Sequence, residues 1–174
     1  MSETTGETTG EATNEATGGA TGGAPTGAEL RALADRIEIE ALRGEFTDAG
    51  MTRDYDRLAE LFTDDGTWRI PDAGLEFTGS KNIRAAIERL QGNWEFFVQT
   101  IHPGAVRIDG DTAEGRSYVA ELGRLRDGGS HVNYALYHDR YRRTAQGWRF
   151  TERRYEVRYV DTTPLPGGMP GPRP

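Results

Sequence analysis

One histidine is a candidate for proton transfer, the alternative being a side chain hydrogen-bonded within a strand wall. His102 lies in the run Gln99-Thr100-Ile101-His102-Pro103, early in a long segment of extended character. An imidazole titrates near neutrality, so it can take a proton from a carbon next to a carbonyl and return one to a departing hydroxyl. Competing chemistries lack their residues. The chain has no cysteine, which removes thiolate catalysis and disulfides. His102, His131 and His138 have no zinc-type spacing, and no His-Glu-x-x-His pattern occurs. The glycine-rich stretches are terminal, not set between a strand and a helix, and there is no Gly-x-Ser-x-Gly elbow. No metal and no cofactor is expected.

Long strands must position that histidine. Residues 97–109, 112–126, 130–144 and 148–161 are rich in β-branched and aromatic residues, with Asp109-Gly110-Asp111, Asp127-Gly128-Gly129-Ser130 and Gln146-Gly147 between them. Asp-Gly turns between such runs are the strongest short-range hairpin signal, and an antiparallel meander follows. Upstream, residues 28–44 place Leu30, Leu33, Ala34, Ile37, Ala41 and Leu42 at helical spacing. Residues 54–62 read as a second helix, with Asp54 as N-cap, Leu58, Leu61 and Phe62 as its apolar face, and Thr63-Asp64-Asp65-Gly66 as its stop. Short strands are expected at 67–70 and 75–77. A third helix is expected over 81–90, capped by Ser80, with Ile83, Ala86, Ile87 and Leu90 inward. Helices segregated to one face of an antiparallel sheet make an α+β domain, and a curved sheet over helices encloses a concave apolar pocket.

Residues 1–27 are almost entirely Thr, Gly, Ala and Glu, with no large apolar residue after Met1. They cannot bury enough surface to offset ordering and read as an acidic, disordered tail with no secretory signal. Residues 162–174, rich in Pro and Gly, read as a second, flexible tail. One domain over 28–161 remains. Removing the four tail acids from the chain's 28 leaves 24 against 21 Lys and Arg, a near-balance that gives no nucleic-acid surface. No apolar run approaches the roughly 20 residues of a membrane span. A soluble, cytoplasmic domain is expected.

Four stretches resemble a known family: residues 53–68 (RDYDRLAELFTDDGTW), 77–87, 99–119 and 134–157. Together they are similar to the SnoaL-like branch of the nuclear transport factor 2-like superfamily, which also contains scytalone dehydratase. The resemblance implies a cone-shaped α+β barrel (cystatin-like), packed on three N-terminal helices around a deep pocket, and a homodimer formed through the outer sheet face. It implies a cofactor-independent dehydratase, isomerase or cyclase acting by acid–base chemistry on a small, hydrophobic, oxygenated, polyketide- or terpenoid-like molecule. Fold alone does not choose among these. A non-catalytic ligand-binding or interaction module is the alternative. An epoxide hydrolase would need an Asp–Arg–Asp set that these residues do not assemble.

The same resemblance distributes roles. His102 matches the family's general acid–base histidine. The aspartate usual in the first helical region is Met51 here, and a tyrosine often found five residues earlier is Phe46. Asp48, about one helical turn from Met51, either supplies a substitute carboxylate or faces solvent or caps a helix end. On the second long strand Ser117, Val119, Glu121 and Gly123 share one face, which the match turns inward; Gly123 replaces a histidine of scytalone dehydratase, and Glu121 becomes either a partner of His102 or a rim charge paired to an arginine. Asn133 and Tyr137 on the next strand are expected to hold a substrate oxygen, unless parity slips by one residue and presents Tyr134 and His138 instead. Trp68, Ile70, Met51, Phe46, Trp94 and Tyr118 complete the expected lining. Phe77, Phe97 and Tyr155 are expected to supply apolar wall. Asp139 is expected to pair with an arginine of an adjacent strand, and His131 to sit at the pocket mouth or in solvent.

Overall fold

The structure, a computed structural model, describes residues 24–169. Of the tail expected over residues 1–27, positions 1–23 lie outside the described residues, while Thr26 and Gly27 belong to the start of the first helix. The elements run α1 (Gly27–Thr52), α2 (Tyr55–Glu60), β1 (Phe62–Ile70), β2 (Leu75–Thr78), α3 (Ser80–Gln91), β3 (Trp94–Asp109), β4 (Thr112–Leu125), β5 (Ser130–Thr144) and β6 (Gly147–Asp161). One six-stranded sheet has the order β2-β1-β6-β5-β4-β3. It is antiparallel except for the β1–β6 pair, and among the described residues β2 and β3 are its two edges, so that it does not close there.

α1 starts where a capping box dictates: Glu29 N donates to Thr26 Oγ1, and Thr26 N donates to the Glu29 carboxylate. Its buried face differs from the expected one. Leu30, Leu33 and Ile37 are more than half exposed, while Ile39, Leu42, Phe46 and Ala49 are buried together with Asp35 and Arg43. The two charges can turn inward because each finds partners. Asp35 accepts two hydrogen bonds of 2.6 Å from Arg143 and one of 3.3 Å from Trp148 Nε1. The Arg143 guanidinium holds the Asp35 carboxyl below the usual carboxylate range. A depressed native pKa adds stability above the unfolded value and loses it as pH falls through the native one. We expect Asp35→Asn to lower the melting temperature at neutral pH and to flatten its fall between about pH 5 and pH 2. A parallel fall in variant and parent would refute this.

α2 is shorter than expected. Asp54 caps it, accepting from Arg57 N at 3.1 Å, but the helix ends at Glu60 and Phe62 opens β1. Phe150 N donates to Leu61 O at 2.9 Å, and Phe62 pairs in register with Phe150. The stretch 63–66, expected as a stop, is an irregular part of β1 before pairing with β6 resumes at Thr67. α3 begins one residue early, with Gly79 rather than Ser80 at its N-cap. The C-terminal segment after β6 has no regular structure over 162–169, yet it is fastened. Leu165 N donates to Ser130 Oγ at 3.1 Å, and Arg124 Nη1 donates to the carbonyls of Leu165 and Gly167.

The ladder between β3 and β4 contains the feature that decides the site. Near the turn Asp109 faces Thr112 and Val106 faces Gly115; beyond a slip between Pro103 and Val106, Pro103 faces Ser117 and His102 faces Tyr118. One extra residue on β3 is absorbed there, a bulge. Gly104 suits it, because a Cβ at that position would collide with the Arg116 carbonyl. Pro103 is tolerated because β3 is an edge strand.

Beneath the pocket, β5 and β6 bury an ion pair. Arg153 donates to both Asp139 oxygens, at 3.0 and 3.2 Å, with both side chains fully buried. Tyr141 OH donates to Asp139 at 2.9 Å and accepts from Arg43 Nε at 2.7 Å. The Arg153 guanidinium lies 4.2, 3.8 and 4.4 Å from the ring centres of Phe46, Tyr137 and Phe150. Those three aromatic faces supply part of the electrostatic compensation that burial removes.

Candidate active site

A cavity of about 730 Å³ opens between the sheet and the helices. Phe46, Trp68, Tyr137 and Tyr155 form its buried depth, and Asp72, Ala73 and Val160 are exposed at its rim. Its polar centre is Glu121 on β4. Tyr155 OH donates to Glu121 Oε2 at 2.6 Å, and Gln99 Nε2 donates to Oε1 at 2.6 Å. Thr47 on α1 donates to Gln99 Oε1 at 3.0 Å. A chain Thr47–Gln99–Glu121–Tyr155 therefore fixes the carboxylate from both sides.

Strand register explains the grouping. Glu121 is paired with Gln99 on β3 and with Asn133 on β5, so the three project to one face. Tyr137 follows on the same face of β5, and its ring meets Tyr155 edge-on at 5.2 Å. Burial, reinforced by the Glu121 charge, pushes both phenols well above the ordinary tyrosine range. They are neutral hydrogen-bond donors at neutral pH.

Of the residues expected at the site, Glu121, Asn133, Tyr137, Trp68, Ile70, Met51, Phe46 and Trp94 line the cavity. Three do not. His102 is exposed on the outer face beside Tyr118, itself 51 % exposed. Without the slip in β3, His102 would face Val119, which points inward with 2 % exposure. One extra residue reverses the face of every side chain before it. Tyr118 alternates with the inward Ser117 and Val119, so the expectation that it lines the pocket fails by parity. Asp48 lies on the solvent side of α1, where its carboxylate pairs with Arg57. It is Thr47, one position earlier, and Met51, one turn later, that turn to the cavity.

Two polar groups of the site are not among the residues expected for their chemistry, and a third, His131, is expected only at the pocket mouth or in solvent. Gln99 shares the parity of Phe97 and Ile101, so counting by two from Phe97, itself expected as wall, turns it inward. Tyr155 was expected as wall and contributes its hydroxyl. His131 lines the cavity half-buried, its ring edge-on to Trp94 at 5.5 Å and 82°. The expected pairing of Asp139 with an adjacent-strand arginine is met by Arg153. Among the described residues, no group of three or more His, Asp or Glu side chains is placed to hold a metal ion. Nor is any helix long and apolar enough to cross a membrane.

Comparison with known proteins agrees with this architecture. The model of the SnoaL-like domain matches residues 31–154. Gamma-hexachlorocyclohexane dehydrochlorinase of Sphingobium indicum is 31 % identical over 147 residues, spanning 80 % of this chain and 90 % of that protein. An uncharacterized protein of Mycobacterium tuberculosis is 26 % identical over 130 residues, 70 % of this chain and 84 % of its own. The crystal structure of LinA superposes with a TM-score of 0.74 at 26 % identity, covering 84 % of this chain and 99 % of LinA. A nuclear transport factor 2-like protein with a cystatin-like fold, from Novosphingobium aromaticivorans, gives 0.63 at 28 % identity over 75 % and 86 % of the two chains. With a family model covering most of the folded region and a curated relative above 30 % identity, this chain belongs to the SnoaL-like domain family.

Proposed function

We propose that this protein is a cofactor-independent lyase that removes a proton from a carbon next to a carbonyl, with Glu121 as the general base. The observation that carries the reading is Glu121 itself: a carboxylate at the centre of a largely apolar cavity, oriented by Tyr155 and Gln99 at 2.6 Å each. A base held in one orientation beside a bound substrate is what proton abstraction from carbon requires. Asn133, beside Glu121 on β5, and the neutral hydroxyl of Tyr137 are donors suited to a substrate carbonyl as it gains enolate character. The wall of Phe46, Trp68, Ile70 and Trp94 selects a hydrophobic skeleton, in keeping with a polyketide- or terpenoid-like substrate. The dehydrochlorinase relative, by its name, also works by elimination.

The test needs no knowledge of the natural substrate. In deuterated water, wild type is expected to speed exchange of the protons next to the carbonyl of benzylacetone, read by proton NMR. Binding without exchange would sink the lyase reading and favour the second one, a ligand-binding module. That second reading draws on Gln99 and Met51, two groups that do not ionise in the working range, at the contact between β3 and α1. The proposal includes a homodimer on the outer sheet face, where Val98, Tyr118, Leu122, Tyr134 and Tyr159 are all more than 40 % exposed. Sedimentation giving a monomer mass across the micromolar range would exclude it.

A further inference from the structure

We infer that His131 donates the proton to a departing hydroxyl, so that the substrate of this cavity is a β-hydroxy carbonyl compound and not a halocarbon. The inference rests on the proposed role of Glu121, and it concerns the other end of the bond that breaks.

His131 is paired in register with Gly123 on β4. A side chain cannot be added at Gly123, because a Cβ there would lie 2.8 Å from the Phe96 carbonyl and 2.9 Å from the Trp94 ring. The imidazole is therefore the only side chain that this cross-strand pair offers to the cavity. Trp94 packs against it edge-on, with 5.5 Å between the ring centres. Glu121 pairs with Asn133, two residues further along β5, so Glu121 and His131 are diagonal neighbours on one face. Such positions are about 7–8 Å apart at the backbone. That spacing lets the carboxylate reach the hydrogen on one carbon while the imidazole reaches a substituent on the next.

The remaining ionisable groups of the cavity do not compete. Tyr137 and Tyr155 are buried phenols made weaker acids by their surroundings. Asp72 is exposed at the rim, where it accepts from Val157 N at 2.9 Å. The chemistry then separates two leaving groups. Chloride departs as a stable anion and needs no proton. Hydroxide is a poor leaving group and departs readily only as water. In the step, the C–H bond next to the carbonyl breaks and its proton passes to Glu121. The electron pair forms the new C=C bond, and the C–O bond breaks towards oxygen. The oxygen takes the N–H proton of protonated His131 and leaves as water. Exchange with solvent then moves the proton from Glu121 and restores that on His131, so no co-reactant is consumed.

The β-hydroxy and β-chloro derivatives of benzylacetone test this, because both give benzylideneacetone, whose conjugated absorbance reports the rate. His131→Gln is expected to slow the hydroxy compound by about 10²-fold or more and the chloro compound by several-fold at most. Equal slowing of both would overturn the donor role, whereas Glu121→Gln should slow both alike. If wild type converts neither, the base reading has failed, and nitrogen-15 NMR of the imidazoles decides His131 separately. Its ring signals, assigned by their absence in His131→Gln, should shift on adding the hydroxy compound; signals that do not move would refute the contact.

Discussion

Glu121→Gln should abolish the exchange of carbon-bound protons while leaving the fold intact. The amide keeps the shape of the carboxylate and can still accept from Tyr155, so a circular dichroism spectrum and melting curve near the parent's are expected. Only the ability to take a proton is lost, and removal of a positioned base lowers such rates by about 10²–10⁴-fold. His102→Ala is the matched control. His102 is an exposed outer-face residue opposite Tyr118, and its loss should change the rate less than about two-fold. The reverse pattern, a silent Glu121→Gln and a crippled His102→Ala, would mean that the chemistry lies outside this cavity.

Arg153→Met should cost more stability than any other single change considered. It leaves the Asp139 carboxylate fully buried with Tyr141 OH as its remaining side-chain donor. It also strips a cation from between Phe46, Tyr137 and Phe150. Breaking one side of a buried ion pair costs about 3–5 kcal/mol. For a domain of this size that lowers the melting temperature by on the order of 10 °C. The double variant Asp139→Leu with Arg153→Met removes the stranded charge and should regain part of the loss, because well-packed apolar replacements of buried pairs are often tolerated. Regain stays partial because Tyr141 loses its acceptor. A double variant no more stable than Arg153→Met alone would show that the burial of Asp139 was not the cause.

The elements were legible in the sequence wherever turn chemistry and apolar pattern agreed. The Asp-Gly turns fixed the β3–β4 and β4–β5 hairpins, and Ile83, Ala86 and Ile87 were readable as the buried face of α3. α1 was misread because a periodicity argument assigns every charge to solvent. Asp35 and Arg43 break that assumption by bringing partners from β5, 108 and 98 residues away. The site split along the same line. Glu121, Asn133 and Tyr137 lie on unbroken stretches of β4 and β5, where counting by two gives the right face. His102 and Gln99 lie beyond the bulge in β3, where a count carried on from the turn at Asp109 gives the wrong one. The bulge depends on how Gly104 meets the backbone of the neighbouring strand, a contact that no local pattern announces.

The bulge has a second consequence, for how copies of this protein behave beside one another at high concentration. β3 is sixteen residues long and forms an edge of an unclosed sheet, so its outward row of amide and carbonyl groups is a template on which a foreign strand could grow. That row is interrupted at its middle. Pro103 lacks an N–H, the slip beside it breaks the repeat, and just past it Arg43 and Arg36 of α1 tie the strand down through the carbonyls of Ala105 and Val106. The irregularity that turns His102 out of the cavity also blunts the longest edge in the molecule against fibrillar growth.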